Sequence, residues 1–306
     1  MDQALTADNL ARTIENIVER SPNVQPLLQF VCVLREQISR SYELVVCRAI
    51  HKKCIKTLDF MLEARPFTSH RYIAVGLDAL LELGRCGTPE MLKHPLFEDA
   101  VREEEFLDKI LEGACETGNQ AVCEDVLRRG ALIKPKHMSI AGQHGQTGLI
   151  RLFYEKYHYD NVDPAVVASA YAGNKDVMIH LIETYGTTAY TSAAEACAIS
   201  GMVDGITYLN KHYESIPLHN MLKWAIISGN YESLKFIVHY CVWGNEISED
   251  LLLLAAAQRD ERILRFLLQE TGNTSRKLIE KLIDAASVTG NFTVALALHN
   301  DLRLLA

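Results

Sequence analysis

The chain has 306 residues and a formal net charge of −8, which argues against broad nucleic-acid binding, since that needs a basic face. An apolar content of 48% is that of a chain that buries a core. No apolar stretch reaches the ~20 residues of a membrane-spanning helix, and the opening M-D-Q-A-L-T-A-D-N-L, with its acidic residue, does not read as a secretory signal.

Residues 1–41 read as an N-terminal helical cap. Thr6 can cap a helix over 7–19 with Leu10, Ile14 and Ile17 on one face. Pro26 suits the start of a second helix over 27–38. From Tyr42 to Ala64 the pattern is a helix pair turning at Lys52-Lys53, and Ser69 can cap a helix over 70–83. Thr88-Pro89-Glu90 starts another helix that Pro95 stops early, so 94–98 is the most irregular stretch. The acidic run 97–112 reads as one long helix with Val101, Phe106, Ile110 and Leu111 inward.

From residue 113 a repeat governs the chain. In G-A-C-E-T-G-N-Q-A-V-C-E-D-V-L-R-R-G-A-L (113–132), small Ala114 sits four places before Gly118. Val122, Cys123, Val126 and Leu127 then share one helical stripe. The unit is helix, tight turn, helix. Gly118 supplies a residue that takes positive φ without a Cβ penalty, and Gly130 can stop the second helix in a left-handed cap. The same turn recurs at Gly145, Gly173, Gly201, Gly229 and Gly290, with steps of 27, 28, 28 and 28 residues from Gly118 to Gly229. Arg259-Asp260 fills the slot once without glycine, and Lys53 and Gly87 fit more loosely. Pro135, Pro164 and Pro217 stand just inside first helices, while Ser248 and Thr274 cap the last two. The spacing predicts an all-α helix-turn-helix repeat solenoid, a single elongated unit with the array over 42–306.

The unit resembles the ankyrin repeat, whose helix-turn-helix core reads A-A-x-x-G-H/N-x-x-V-V-x-x-L-L-x-x-G-A. Residues 113–132 match it best. The T-P-L-H opening is absent from every unit, and the central period is shorter than the family's usual ~33 residues. The resemblance therefore implies short loops in place of the projecting hairpin. Such arrays look like those of proteins of large DNA viruses and some intracellular bacteria. The resemblance covers roughly residues 42–305, implies protein binding, and brings no catalytic residue with it.

No strong catalytic or metal signature is present: no C-x-x-C, H-E-x-x-H, G-x-x-x-x-G-K-S/T or G-x-S-x-G. Cys47, His51 and Cys54 come nearest to a ligand cluster, but they straddle a turn and lack a fourth ligand. His137 and His144 read as solvent-facing or turn-packing residues. Most of the eight cysteines fall at core offsets, so they read as free thiols of an intracellular, cytoplasmic protein. No catalytic residue, metal or cofactor is assigned.

Ten of the twelve tyrosines lie between Tyr154 and Tyr240. Tyr157, Tyr185 and Tyr213 share the slot of Gly130 and read as structural. Tyr171 and Tyr231, each two residues from a turn glycine, and Trp224 read as exposed contact anchors. The function expected is a non-enzymatic interaction scaffold whose rigid concave surface binds a protein, with neither nucleic acid nor membrane as partner. The alternative is an adaptor that recruits host machinery through residues 1–40. The expected state is a monomer, with the apolar C-terminal L-H-N-D-L-R-L-L-A as the route to self-association.

Overall fold

The structure is a computed structural model that describes residues 7–20, 35–63, 75–213, 215–241, 247–258, 260–272 and 274–304. Among the described residues the chain is all-α, with no strand. It divides into two compact units, Met1–Asp160 and Asn161–Ala306.

The first unit holds α1 (Ala7–Arg20), α2 (Arg35–His51), α3 (Ile55–Glu63), α4 (Leu77–Cys86), α5 (Glu104–Thr117), α6 (Gln120–Arg128), α7 (Pro135–Gln143) and α8 (Thr147–Tyr157). Helix α2 packs on α1, α3 and α4, α4 packs on α5, and α5 packs on α6 and α7. The backbones of α4 and α5 touch: a Cβ on Gly84 would meet the Ile110 carbonyl, and one on Gly113 the Leu81 carbonyl. Side chains at these two positions would separate the helices, so the glycines here serve close approach.

The second unit holds α9 (Asp163–Tyr171), α10 (Lys175–Tyr185), α11 (Tyr190–Ser200), α12 (Val203–His212), α13 (Leu218–Ser228), α14 (Tyr231–Phe236), α15 (Glu249–Ala257), α16 (Glu261–Thr271), α17 (Arg276–Val288) and α18 (Phe292–Leu304). A π-helical turn, Ile237–Cys241, extends α14. The first helices pack in succession, α9 on α11, α11 on α13, α13 on α15 and α15 on α17, and each also packs on its own second helix. Leu251, Leu252, Ala255 and Ala256 of the run L-L-L-L-A-A-A face inward, each large side chain contributing about 1.5–3 kcal/mol on burial.

One turn joins the helices of most pairs, though not α15 to α16, where Gln258 is extended. The glycines at 118, 145, 173, 201, 229 and 290 all have φ between 72° and 81°. The residue after each glycine donates its N–H to the carbonyl five places back: Asn119 to Ala114, Gln146 to Ala141, Asn174 to Ser169, Met202 to Cys197, Asn230 to Ala225 and Asn291 to Ala286, at 2.7–3.0 Å. This is the six-to-one bond of a Schellman cap. Every acceptor is a small, fully buried residue four places before the glycine. Lys53, a looser fit in sequence, makes the same turn: its φ is 55°, and Cys54 donates to Ala49 at 2.9 Å. Gly87 does not, with φ at −66°.

The turns are also stitched to their neighbours. Asn119 Oδ1 accepts from the Val122 N–H of its own second helix at 3.4 Å. Its Nδ2 donates to the Gly84 and Gly87 carbonyls of the preceding segment at 3.1 and 3.0 Å. Gln146 Nε2 donates to the Glu116 carbonyl at 3.0 Å, and Asn291 Nδ2 donates to the Ala256 carbonyl at 3.1 Å. A Cβ at Gly118 would land on the Gln146 side-chain amide, and one at Gly201 on that of Asn230. At these two turns a side chain in place of glycine would have to displace that amide, besides meeting the strain of the positive φ.

Several boundaries differ from the sequence reading. The expected break near residue 41 falls inside α2, where R-E-Q-I-S-R-S-Y offers no glycine or proline to stop a helix. Helix α4 starts at Leu77, because Gly76 is extended. The run 97–112 is not one helix: short 3-10 turns at Met91–Lys93, Pro95–Phe97 and Ala100–Arg102 precede α5, and extended Glu103 separates them. That break puts Leu107 on the buried stripe and leaves Phe106 half-buried. Pro217 stands at the N-cap of α13, outside it, and Ser275 replaces Thr274 as the N-cap of α17. The expectations at Thr6, Pro26 and Ser69 lie outside the described residues.

His137 is not solvent-facing. It is fully buried on α7, its Nδ1 accepts from the Lys134 N–H at 3.0 Å, and its Nε2 lies 3.3 Å from Asp108 of α5. The accepting Nδ1 fixes the neutral tautomer with hydrogen on Nε2. Burial pushes its pKa down to about 4, against the pull of Asp108. Asp108 is held below the ordinary carboxylate range: its burial opposes ionisation, and hydrogen bonds from Lys136 and Lys134 overcome that.

Two outcomes test this picture. Asn119→Asp keeps the acceptor for Val122 but puts a carboxylate against two carbonyls. It should cost about 2–3 kcal/mol in a chemical melt, more than a lost cap alone, and a change under 0.5 kcal/mol would count against the stitch. His137 takes its proton at about pH 4 when folded and near 6.5 when unfolded, so its contribution to stability is intact above pH 6.5. It is lost as pH falls through 4, about 3 kcal/mol in all. Asp108, lowered from 3.8, adds its own loss only below that. His137→Asn should flatten the stability profile between pH 6.5 and 4 while leaving the steeper fall below 3.8, and an unchanged slope in the upper window would show that His137 is not its source.

Candidate protein-interaction surface

Three aromatics of the second unit stand out in sequence, and the structure treats them differently. Helix α9 buries Ala165, Val166, Ser169 and Ala170. Tyr171, one step past that stripe, is turned to solvent and is 60% exposed. Helix α13 buries Met221, Leu222, Ala225 and Ile226. Trp224 falls between those positions and is 36% exposed, with Ile227 beside it on the open face. α9 and α13 both pack on α11, so Tyr171 and Trp224 project from the same succession of first helices.

Tyr231 is different. It opens α14 and is half-buried, with its ring edge-on to Phe266 of α16 at 5.6 Å. The Arg262 guanidinium, itself held by both oxygens of Asp260 at 2.8 and 3.0 Å, lies 5.9 Å from the ring centroid. Tyr231 is thus part of the packing between two second helices, and only its outer edge can meet a partner.

Three further tyrosines stand at the ends of second helices. Tyr157 and Tyr185 end α8 and α10, Tyr213 follows α12, and all three are half-buried. Tyr213 stacks on Tyr190 with centroids 4.7 Å apart. Asp163 fixes the next loop by accepting from the Thr187 hydroxyl at 2.6 Å and the Thr188 N–H at 3.0 Å.

Two exposed features escaped the sequence reading. Tyr240, 75% exposed, stacks on Phe236 in the π-helical turn. Their four-residue spacing was the available signal. On α17 and α18, Val288, Phe292 and Leu296 are largely exposed, and the other side of α18 contributes Val294 and Leu298 to a cleft of about 300 Å³ that Leu264, Leu268 and Ile279 also line. The four-residue step from Phe292 to Leu296 marks that stripe, on the terminal helix where the sequence already showed too little polarity for a cap.

Cysteines 115, 123 and 197 are buried free thiols, and Cys47, Cys54 and Cys86 are half-buried free thiols. Burial raises Cys123 and Cys197 to about 12 and Cys115 well above the ordinary thiol range, so these three stay protonated at neutral pH. The side chains of Cys32 and Cys241 lie outside the described residues. Among the described residues, no helix is long and apolar enough to cross a membrane.

Neither a family model nor a curated protein matches this chain.

The geometry separates the aromatics by stability. Tyr231→Ala removes a ring packed on Phe266 and should cost about 1–2 kcal/mol. Tyr171→Ala should stay within about 0.5 kcal/mol of wild type. Paired thermal melts check this, and equal losses for the two variants would contradict the assigned burial.

Proposed function

We propose that this chain is an ankyrin-like helix-turn-helix repeat array that works as a protein-interaction scaffold. The observation that carries the reading is the recurrence of one turn, with the same dihedral and the same bond to a small buried residue, at near-constant spacing. A rigid repeat of this kind displays side chains without an ordering cost on binding. Tyr171 and Trp224 are the anchors, as large apolar groups already exposed on well-packed helices. The site of action is cytoplasmic, a reading supported by the buried cysteine thiols.

A second reading is favoured by the exposed stripe on α17 and α18, which is suited to a second copy of the chain or to a different protein face. One capture experiment in native host cells separates them, using wild type, Tyr171→Ala/Trp224→Ala and Phe292→Ser/Leu296→Ser. The first reading predicts that the aromatic pair variant melts like wild type and loses partners by roughly tenfold or more, the usual effect of removing interface anchors. Partner loss confined to the Phe292/Leu296 variant would move the binding face to the C-terminal helices. Full retention by both variants would remove both surfaces from consideration.

A further inference from the structure

The residues nearest to a metal-ligand cluster in sequence, Cys47, His51 and Cys54, do not converge as a set. Cys54 lies beyond the Lys53 turn, where its sulfur accepts from the Thr57 hydroxyl at 3.2 Å. The structure brings different partners to His51. Its Nδ1 lies 3.2 Å from Glu82 Oε1 and 3.7 Å from Cys86 Sγ, both on α4. One donor atom from each of the three residues lies within 4.8 Å of the others. We propose that His51, Glu82 and Cys86 form a binding site for a zinc ion.

The two donor separations from His51 fit the ion. With Zn–S near 2.3 Å and Zn–N and Zn–O near 2.0–2.1 Å, neighbouring donors of a tetrahedral site stand about 3.3–3.6 Å apart. The observed 3.2 and 3.7 Å edges bracket that range. The donor set fits too, since thiolate with imidazole selects zinc over magnesium or calcium. Glu82 and Cys86 are four residues apart on one helix, so they share a face.

The surroundings favour a cation. His51 is the last residue of α2 and Cys86 the last of α4, so two helix C-termini, each with its partial negative charge, meet at the site. Arg85 is the nearby competitor. Its closer partner is Glu116 at 2.5 Å, and it reaches only the outer oxygen of Glu82, at 3.7 Å, which leaves Oε1 for the ion. Binding releases the Cys86 thiol proton to solvent, and the site of Zn²⁺, thiolate, carboxylate and neutral imidazole is then uncharged. The His51 side chain is 71% exposed, so the ion can enter from solvent. A fourth coordination position stays open for water or a donor from another molecule.

The test uses the full chain freed of metal by chelation, with zinc and then cobalt as probes. Calorimetry should show one zinc bound per chain, and zinc should raise the melting temperature because the ion joins α2 to α4. The cobalt form should show a thiolate charge-transfer band and the visible bands of tetrahedral cobalt. Cys86→Ser and His51→Gln should each weaken zinc binding on the order of a hundredfold, one ligand's share of a four-coordinate site. Cys54→Ser should leave it unchanged. The proposal is overturned if wild type binds no stoichiometric zinc, if cobalt shows no thiolate band, or if Cys86→Ser keeps wild-type affinity. It is equally overturned if Cys54→Ser loses the ion, which would return the ligand role to the sequence cluster.

Discussion

The constraint behind this fold is the end of the first helix in each pair. The last carbonyls of a helix have no partner within it, and inside a packed protein they must find donors. Here one solution recurs at seven turns: the chain enters the left-handed region for a single residue, and the next N–H folds back to a carbonyl five places earlier. The small side chain on that accepting residue lets a neighbouring helix come close over the turn. Glycine at the left-handed position avoids a strain of roughly 1–2 kcal/mol. Lys53 shows that the surrounding bonds can hold the same turn when glycine is absent.

A side-chain amide turns a series of local turns into a connected structure. Asn119 caps its own second helix with its oxygen and binds the preceding segment with its nitrogen. An asparagine can do both because it is donor and acceptor at once. Burial of leucine and isoleucine supplies most of the stabilisation, but it is non-directional. The amide bonds fix which carbonyl lies beside which turn, and with it the register of one pair on the next.

The charged groups follow the same division between local and distant partners. Asp125 is paired with Arg128 and Arg129 along its own helix, which sequence spacing alone foretells. Asp108 is served instead by Lys134, Lys136 and His137 from across the interface of α5 and α7. Placing a neutral histidine against a carboxylate there makes that contact dependent on pH, whereas the Asp125 pairs involve guanidinium groups that keep their charge.

The sequence by itself determined the helical class, the turns and the buried stripes. These depend on contacts three to five residues apart, so small-x-x-x-glycine spacing and apolar periodicity record them directly. It also located Tyr171 and Trp224 outside the buried stripes of their helices. The tertiary structure alone decided what faces what at separations near 28 to 35 residues: Asp108 beside His137, Glu82 and Cys86 beside His51, Phe266 beside Tyr231, Gly84 against the backbone of α5. Such pairs are set by how far one helix slides and rotates on the next. A slide of one turn, about 5.4 Å, would exchange every one of these partners while leaving each helix's own pattern intact, which is why no local spacing encodes them.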